Sequence, residues 1–195
     1  MDSLKLVLAS NNANKLREVK QLLEPLGFEI LSQREAGVVI EPEENGSTFA
    51  ENSAIKARAV YNICKMPVIA DDSGLCVDYL NGAPGVFSAR YAPENQLCDK
   101  LIAELDGVSA QNRNAHFACV ICYIDKNAKE HFFEGKVFGT IGFEKKGTNG
   151  FGYDPVFVYK NGKTLAQMDS DEKNMISHRA NALKALVEYF ENGNN

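Results

Sequence analysis

Four short polar segments carry residue types that chemistry on a phosphate requires, and each lies where an apolar run meets a turn. They are Ser10–Lys15, Asp71–Gly74, Phe151–Asp154 and Ser177–Arg179. Together they supply paired carboxylates, several cations and aromatic rings. Carboxylates bind divalent ions and accept protons, and cations stabilise the negative charge that develops on a phosphate during cleavage. The set predicts metal-assisted cleavage of a nucleotide phosphate, although no single segment is decisive.

The adjacent acids Asp71 and Asp72 follow a short apolar run, Pro67–Ala70, which is typical of a buried strand. Like charges this close are unfavourable unless a cation joins them. Successive residues of a strand face opposite sides of the sheet. We therefore expect one acid to hold Mg²⁺ and the other to orient water or a supporting group. The alternative is an exposed acidic pair that opens a turn before Gly74.

Three charged residues lie near the starts of predicted helices. Lys15 is at the start of the first helix, and Glu43 and Glu44 precede the second. Lys15 lies in the turn between the first predicted strand and helix, where unpaired backbone N–H groups favour anions. It could bind a phosphate that the turn amides hold, or be a surface lysine after an asparagine cap. Glu43 and Glu44 would suit a hard cation together with Asp72, or form a solvated acidic loop.

Aromatic rings and further cations occur in the last quarter of the chain. Phe151–Asp154 places two rings and an acid in a glycine-rich loop, where rings often stack on planar ligands. The alternative is a loop plug that seals the edge of the sheet. If Ser177 caps the last helix, His178 and Arg179 lie in its first turn. Cations are unfavourable at that end unless an anion is bound, which favours a functional role.

The composition narrows the possible partners and compartment. The chain has 195 residues and a net charge of −5, and without a basic stripe it is a poor candidate for binding nucleic acid. No apolar run approaches the roughly 20 residues of a membrane span, and Met1–Lys5 does not resemble a signal peptide. The five cysteines do not suggest a disulfide framework, which predicts a reducing, cytoplasmic location. Cys119 and Cys122 have C-x-x-C spacing but lie in a predicted strand, so we interpret them as core residues.

The elements that must position these residues follow from hydrophobic periodicity and turn signals. Their order predicts an α/β fold with a mixed sheet, two lobes and a cleft between them. A capping box formed by Thr48 and Glu51 opens the second helix. The predicted helices are Asn14–Leu26, Thr48–Lys65, Glu94–Leu105 and Ser177–Phe190. The predicted strands are Lys5–Ala9, Phe28–Leu31, Pro67–Ala70, Leu75–Leu80, Ala115–Ile124, Glu130–Phe138 and Pro155–Tyr159.

In order and spacing, these motifs resemble those of the inosine/xanthosine triphosphate pyrophosphatase family, which acts on noncanonical purine nucleotides. The likeness extends from Leu6 to about Leu186. The motifs are SNNANK (Ser10–Lys15), EENGSTFAENSAIKA (Glu43–Ala57), ADDSGL (Ala70–Leu75), GAPGVFSARYA (Gly82–Ala92), GFGYDPVF (Gly150–Phe157) and SHR (Ser177–Arg179).

The resemblance implies one elongated α/β domain over residues 1–195, with a mixed β-sheet flanked by helices and two lobes around a central substrate cleft. It also implies a homodimer and Mg²⁺-dependent hydrolysis of ITP, dITP and XTP to the monophosphate and pyrophosphate. Residues implied to hold the triphosphate are Ser10, Asn11, Asn12, Ala13, Asn14 and Lys15. Glu43 or Glu44 would serve the metal with Asp72, which would also accept a proton from water. Other implied substrate contacts are Lys56, Ser73 and Lys173. The base pocket would be formed by Phe151, Gly152, Tyr153, Asp154, His178 and Arg179.

Three other interpretations remain at this point. A related pyrophosphatase could act on pyrimidine or methylated nucleotides, and a nucleotide-binding regulator could keep the pocket without turnover. The intact acids Glu43, Glu44, Asp71 and Asp72 favour an enzyme over a regulator. A two-carboxylate glycosidase would leave the cations and turn amides without a partner.

Overall fold

The structure, a computed structural model, describes residues 4–193. The segment Met1–Lys5, on which the prediction about a signal peptide rests, lies partly outside this range. The chain forms two compact units. Within the described range, the first contains residues 4–72, 119–135 and 179–193, and the second contains residues 73–118 and 136–178. No helix within residues 4–193 is long and apolar enough to cross a membrane.

A mixed six-stranded sheet with flanking helices confirms the predicted fold class. The sheet order is β2-β1-β3-β4-β5-β6. β1 pairs in parallel with β2 and β3, whereas β6 is antiparallel to β5. The strands are β1 (Leu4–Leu8), β2 (Phe28–Ser32), β3 (Val68–Val77), β4 (Asn114–Ile124), β5 (Glu130–Ile141) and β6 (Phe157–Tyr159). The helices are α1 (Ala13–Leu23), α2 (Phe49–Cys64), α3 (Leu97–Glu104), α4 (Ser170–Ile176) and α5 (His178–Glu191).

The first unit has a hydrophobic core on each face of its part of the sheet. In β1, Leu6 and Leu8 contribute to one core, while Val7 contributes to the other. This follows from the two-residue period of a strand. Helices α1 and α5 cover the first core, and α2 covers the second. A strand buried on both faces is typical of parallel sheets.

Cys119 and Cys122 lie in different cores. Cys119 belongs to the core under α1 and α5, and Cys122 to the core under α2. All five cysteines are free thiols. The prediction that Cys119 and Cys122 are core residues is therefore confirmed.

Strand β3 differs from its prediction. The structure has one strand, Val68–Val77, where two strands separated by a turn are predicted. The expectation that Asp71 and Asp72 lie at a strand end is thus wrong, because they lie in mid-strand and are 3% and 7% exposed. Acids followed by Ser and Gly are typical of turns, but side chains from other elements compensate their burial here. Helix α4 is also absent from the predictions, although the capping box of Asp169 and Glu172 marks its start.

The second unit has one core, which anchors the glycine-rich loop. Leu75 of β3, Leu101 of α3 and Phe117 of β4 pack in it. Tyr153 and Val156, which lie in the loop region before β6, join the same core. The loop therefore has a fixed attachment to the sheet.

A buried arginine donates hydrogen bonds to three carbonyls in two backbone segments of the second unit. Arg113 donates from Nε to the carbonyl of Ile141 at 2.8 Å, from Nη1 to that of Leu105 at 2.8 Å and from Nη2 to that of Gly142 at 2.9 Å. Without the Arg113 side chain, each of these carbonyl groups would lose a hydrogen-bond partner inside the protein. Buried polar groups without partners are costly.

We predict that Arg113→Met lowers the free energy of unfolding by about 3 kcal/mol, because it removes the donors to three carbonyls. Chemical denaturation measures this loss. Arg17→Met is the control, because Arg17 is exposed and its loss should cost less than about 0.5 kcal/mol. Equal losses in the two variants would contradict a stabilising role for the Arg113 contacts.

Candidate active site

The turn before α1 is organised by its own side chains. Asn12 caps the helix, and its Oδ1 accepts the N–H groups of Asn14 at 2.9 Å and Lys15 at 3.2 Å. Ser10 Oγ accepts the N–H of Asn12 at 3.1 Å. Two of the amides predicted to hold a phosphate are therefore already bonded to Asn12. The remaining residues of this segment, Asn11 and Ala13, are exposed.

Asp71 points toward α1 and α5. Its Oδ2 accepts from Lys15 Nζ at 3.0 Å and from Arg179 Nη2 at 2.9 Å. Arg179 is 1% exposed, and its Nη1 donates to Glu18 of α1. Burial opposes ionisation of Asp71, but the charges of Lys15 and Arg179 outweigh it and hold the pKa of this carboxyl well below its usual range. Asp71 therefore ties β3 to the two helices on this face.

Asp72 points to the opposite face, toward α2. Its Oδ1 accepts from Lys56 Nζ at 3.1 Å and its Oδ2 from Asn52 Nδ2 at 3.2 Å. Lys56 Nζ also lies 3.2 Å from Glu44 Oε1, whereas Glu43 is exposed. Burial raises the pKa of Asp72, and Glu44 adds to this while Lys56 opposes it. Burial would lower the pKa of Lys56, but the negative charges of Asp72, Asp71 and Glu44 raise it.

We call these charged residues of the first unit the acid cluster. Its carboxylates outnumber its cations, and Asp71 Oδ1 is buried without a hydrogen-bond partner in the described part of the chain. The four carboxylates and three cations are Glu18, Glu44, Asp71, Asp72, Lys15, Lys56 and Arg179.

The acid cluster fits a divalent ion that also binds substrate. Glu44 and Asp72 both contact the ammonium of Lys56, so two hard oxygen donors lie near one point. Within residues 4–193, no group of three or more His, Cys, Asp or Glu side chains is arranged to hold a metal alone. Mg²⁺ commonly takes one or two carboxylates and completes its shell with water and phosphate oxygens.

In the second unit, Phe151, Asp154 and Lys173 form what we call the loop cluster. Asp154 Oδ2 accepts the N–H of Phe151 at 2.8 Å and Lys173 Nζ at 2.8 Å. Lys173 Nζ also lies 4.8 Å from the centroid of the Phe151 ring. Gly150 has φ of +75°, and a Cβ there would lie 2.0 Å from Asp154 Oδ2. The loop thus needs glycine at this position to bring its aromatic ring and acid together.

The other residues predicted around the base make packing contacts. Tyr153 is buried, and its hydroxyl donates to the carbonyl of Ser88 at 2.9 Å. The His178 ring stacks on Phe117 with centroids 4.8 Å apart and planes at 13°. The carbonyl of Gly152 accepts from Cys98 Sγ at 3.3 Å. Ser73 is half-buried and directly follows Asp72 along the chain.

The sequence interpretation did not assign two residues to the site: Glu18, which belongs to the acid cluster, and Asn52, which contacts it. Glu18 pairs with Arg179. The sequence gives little indication of this role, because Glu18 is a single acid beside the apolar positions of α1. Asn52 has a clearer signal. It lies four residues before Lys56 on the polar ridge of α2, where side chains are neighbours.

Comparison with protein families gives a match over residues 6–189 to the Ham1 family. This chain belongs to the Ham1 family. It is 49% identical over 185 residues to the dITP/XTP pyrophosphatase of Bacillus licheniformis, covering 92% of this chain and 94% of that protein. It is 45% identical over 190 residues to the dITP/XTP pyrophosphatase of Bacillus subtilis, covering 95% and 96%.

Solved structures of the Ham1 family have the same fold. The Ham1 protein of Staphylococcus aureus is 39% identical and superimposes with a TM-score of 0.86, covering 97% of this chain and 99% of that one. A HAM1 protein from Coxiella burnetii is 41% identical with a TM-score of 0.87 and the same coverage. The family predicted from the motifs is therefore confirmed.

We predict that Asp71→Asn lowers the free energy of unfolding by about 3–5 kcal/mol at neutral pH, because it leaves two cations without their shared buried carboxylate. The pKa of Asp71 is lowered by folding, so its contribution is complete above the unfolded pKa of about 3.9 and is lost as pH falls through the folded value.

Urea denaturation from pH 4 to pH 8 measures this difference. Asp78→Asn is the control, because Asp78 is exposed and its loss should change stability by less than about 0.5 kcal/mol. A stability difference between wild type and Asp71→Asn that disappears already between pH 8 and pH 5 would contradict this assignment.

Proposed function

We propose that this chain hydrolyses the noncanonical purine nucleotides ITP, dITP and XTP to the monophosphate and pyrophosphate. The observation that carries the proposal is the buried carboxylate of Asp72 between Lys56 and Asn52, in a chain of the Ham1 family. Relatives at 45–49% identity are named dITP/XTP pyrophosphatase. Removal of such nucleotides would cleanse the nucleotide pool.

In the proposed reaction, water attacks the α-phosphorus, the bond from that phosphorus to the bridging oxygen breaks, and pyrophosphate leaves. Asp72 accepts the proton of the attacking water. Its carboxylate is held in place by Lys56 and Asn52, and a fixed position is the first requirement of a general base. The ammonium groups of Lys15 and Lys56 supply positive charge for the phosphate oxygens in the transition state.

We propose that Glu44 and Asp72 bind Mg²⁺, and that Glu43 does not. The support is that Glu44 shares Lys56 with Asp72, while Glu43 is exposed. When bound, the ion supplies charge at the phosphate oxygens and lowers the pKa of coordinated water. The segment Ser10–Lys15 holds the phosphates in this proposal, through side chains and the amides that Asn12 leaves available.

The loop cluster is proposed to contact the base. Phe151 offers a half-buried ring whose backbone is fixed by Asp154, and aromatic rings stack on any base. Lys173 and Asp154 add polar groups beside that ring. The implied roles of Gly152, Tyr153, His178, Arg179 and Ser73 remain proposals of the same kind.

We also propose a cytoplasmic homodimer, as the family resemblance implies. The five free cysteines suit a reducing compartment. The net charge of −5 argues against a nucleic-acid partner. Size-exclusion chromatography with light scattering measures the oligomeric state.

A substrate panel tests the proposed activity. Purified protein should release pyrophosphate from ITP, dITP and XTP in Mg²⁺, and much less from ATP, GTP and dTTP. Chelation with EDTA should abolish release, and added Mg²⁺ should restore it. Preferential cleavage of dTTP would favour the pyrimidine alternative, and tight binding without pyrophosphate release would favour the regulator.

We predict that Asp72→Asn lowers kcat by about 10²-fold or more, because the amide cannot accept the proton of water. The measurement is pyrophosphate release at saturating ITP and Mg²⁺. Asp78→Asn again serves as the control for a change of one carboxylate elsewhere. Turnover near the wild-type rate in Asp72→Asn would remove this residue from the mechanism.

A further inference from the structure

We propose that Asn52 is a positioning residue that fixes the orientation of the Asp72 carboxylate and links it to the segment that carries Glu44. The inference rests on the proposed function, because it assigns a role in the same reaction. Asn52 is fully buried. A buried carboxamide must satisfy both a donor and an acceptor, and the partners of Asn52 show what it connects.

The donor side of Asn52 holds one oxygen of Asp72. Asn52 Nδ2 donates to Oδ2 at 3.2 Å, while Lys56 Nζ binds Oδ1 at 3.1 Å. Asn52 and Lys56 lie one turn apart on α2, so their side chains are neighbours on one ridge. The two contacts bind different oxygens from one rigid element. They therefore restrict rotation of the carboxylate, which a single contact would not.

The acceptor side of Asn52 holds the segment before α2. Asn52 Oδ1 accepts the N–H of Gly46 at 2.8 Å, and Gly46 lies two residues after Glu44. The approach is close, since a Cβ on Gly46 would lie 2.7 Å from Asn52 Oδ1. One carboxamide thus connects the backbone beside Glu44 to the carboxylate of Asp72. The proposed metal ligands Glu44 and Asp72 would be held in register by it.

The chemistry of this position is specific to asparagine. Aspartate has the same shape and can accept from Gly46, but it cannot donate to Asp72 and would repel it. Leucine has a similar size and makes neither hydrogen bond. A residue needed only to fill space would tolerate leucine, whereas a residue that orients Asp72 would not.

We expect Asn52→Leu and Asn52→Asp to lower kcat for ITP by about 10- to 100-fold, the range typical of residues that orient metal ligands. KM for the nucleotide should change less than about threefold, since neither side chain replaces a substrate contact. Assays are run at least 15 °C below the Tm of each variant, so that unfolding does not contribute. The matched control is Ser53→Ala, which removes a buried hydroxyl from the same helical turn, bonded to the carbonyl of Ala50 at 2.9 Å. Its kcat should equal that of the wild type.

A double-mutant cycle separates positioning from a structural role. If Asn52 acts through Asp72, adding Asn52→Leu to Asp72→Asn should reduce kcat less than twofold further, because the group being oriented is already lost. If the losses multiply, Asn52 does not act through Asp72 and the proposal is overturned. Pairing Asn52→Asp with Asp72→Asn reverses the hydrogen bond, since Asn can then donate to Asp. This swap should restore the Tm lost in Asn52→Asp but not kcat.

Gly46→Ala is a second route to the same test if the Asn52 variants do not fold. The added methyl would lie 2.7 Å from Asn52 Oδ1, 2.7 Å from Glu51 Cβ and 3.0 Å from the backbone N of Asn52, so it would push the carboxamide and the backbone beside Glu44 apart without removing any functional group of the acid cluster. It should lower kcat at least fivefold with KM unchanged. Normal kcat in Gly46→Ala and Asn52→Leu, with an active wild type, would overturn the inference alone. A wild type that releases no pyrophosphate from any nucleotide would overturn the proposed function itself, and the assignment of Asn52 with it.

Discussion

The two-residue period of strand β3 is the constraint on which the acid cluster depends. Because neighbouring side chains of a strand face opposite sides, Asp71 meets Lys15 and Arg179 under α1 and α5, while Asp72 meets Lys56 on α2. Two adjacent carboxylates thereby acquire different surroundings and opposite pKa shifts. One acid is held as a fixed charge in the structure, and the other is the residue that, under the proposed function, accepts the proton of water. Fixing β3 between β1 and β4 fixes both.

Much of the fold could be predicted because its signals are local. The capping box at Thr48 sets the start of α2, and the continuous apolar run from Leu6 to Ala9 indicates the cores on both faces of β1. The opposite facing of Asp71 and Asp72 also followed from the period of a strand. The prediction of a turn at residues 71–74 was wrong, because the conformation of this segment depends on residues that are distant in the sequence. Arg179, which neutralises Asp71, lies 108 positions away in the chain, and no local pattern records such a partner.

The candidate site was predictable in its residue types more than in their contacts. Motif resemblance gave Asp72, Lys56 and the two adjacent glutamates, but only the structure distinguishes Glu44, which contacts Lys56, from the exposed Glu43. Tyr153 is an aromatic residue in a glycine-rich loop. This sequence pattern does not distinguish a ring that stacks on a ligand from a ring that anchors the loop to the core. Its burial in the core of the second unit makes it an anchor. Asn52 was visible on the polar ridge of α2, yet nothing in the sequence told which of its neighbours it would bond.

The charges of the acid cluster bear on which form of the substrate it accepts. Carboxylates already exceed cations there, and burial strengthens their mutual repulsion because fewer water molecules screen it. A free nucleoside triphosphate would add further negative charge to this surplus. A triphosphate that carries Mg²⁺ brings part of the compensating charge with it, and the oxygen atoms of Glu44 and Asp72 can complete the coordination of such an ion. Under the proposed function, the nucleotide therefore binds more favourably with Mg²⁺ than without it, because the ion relieves the repulsion between the phosphates and these carboxylates.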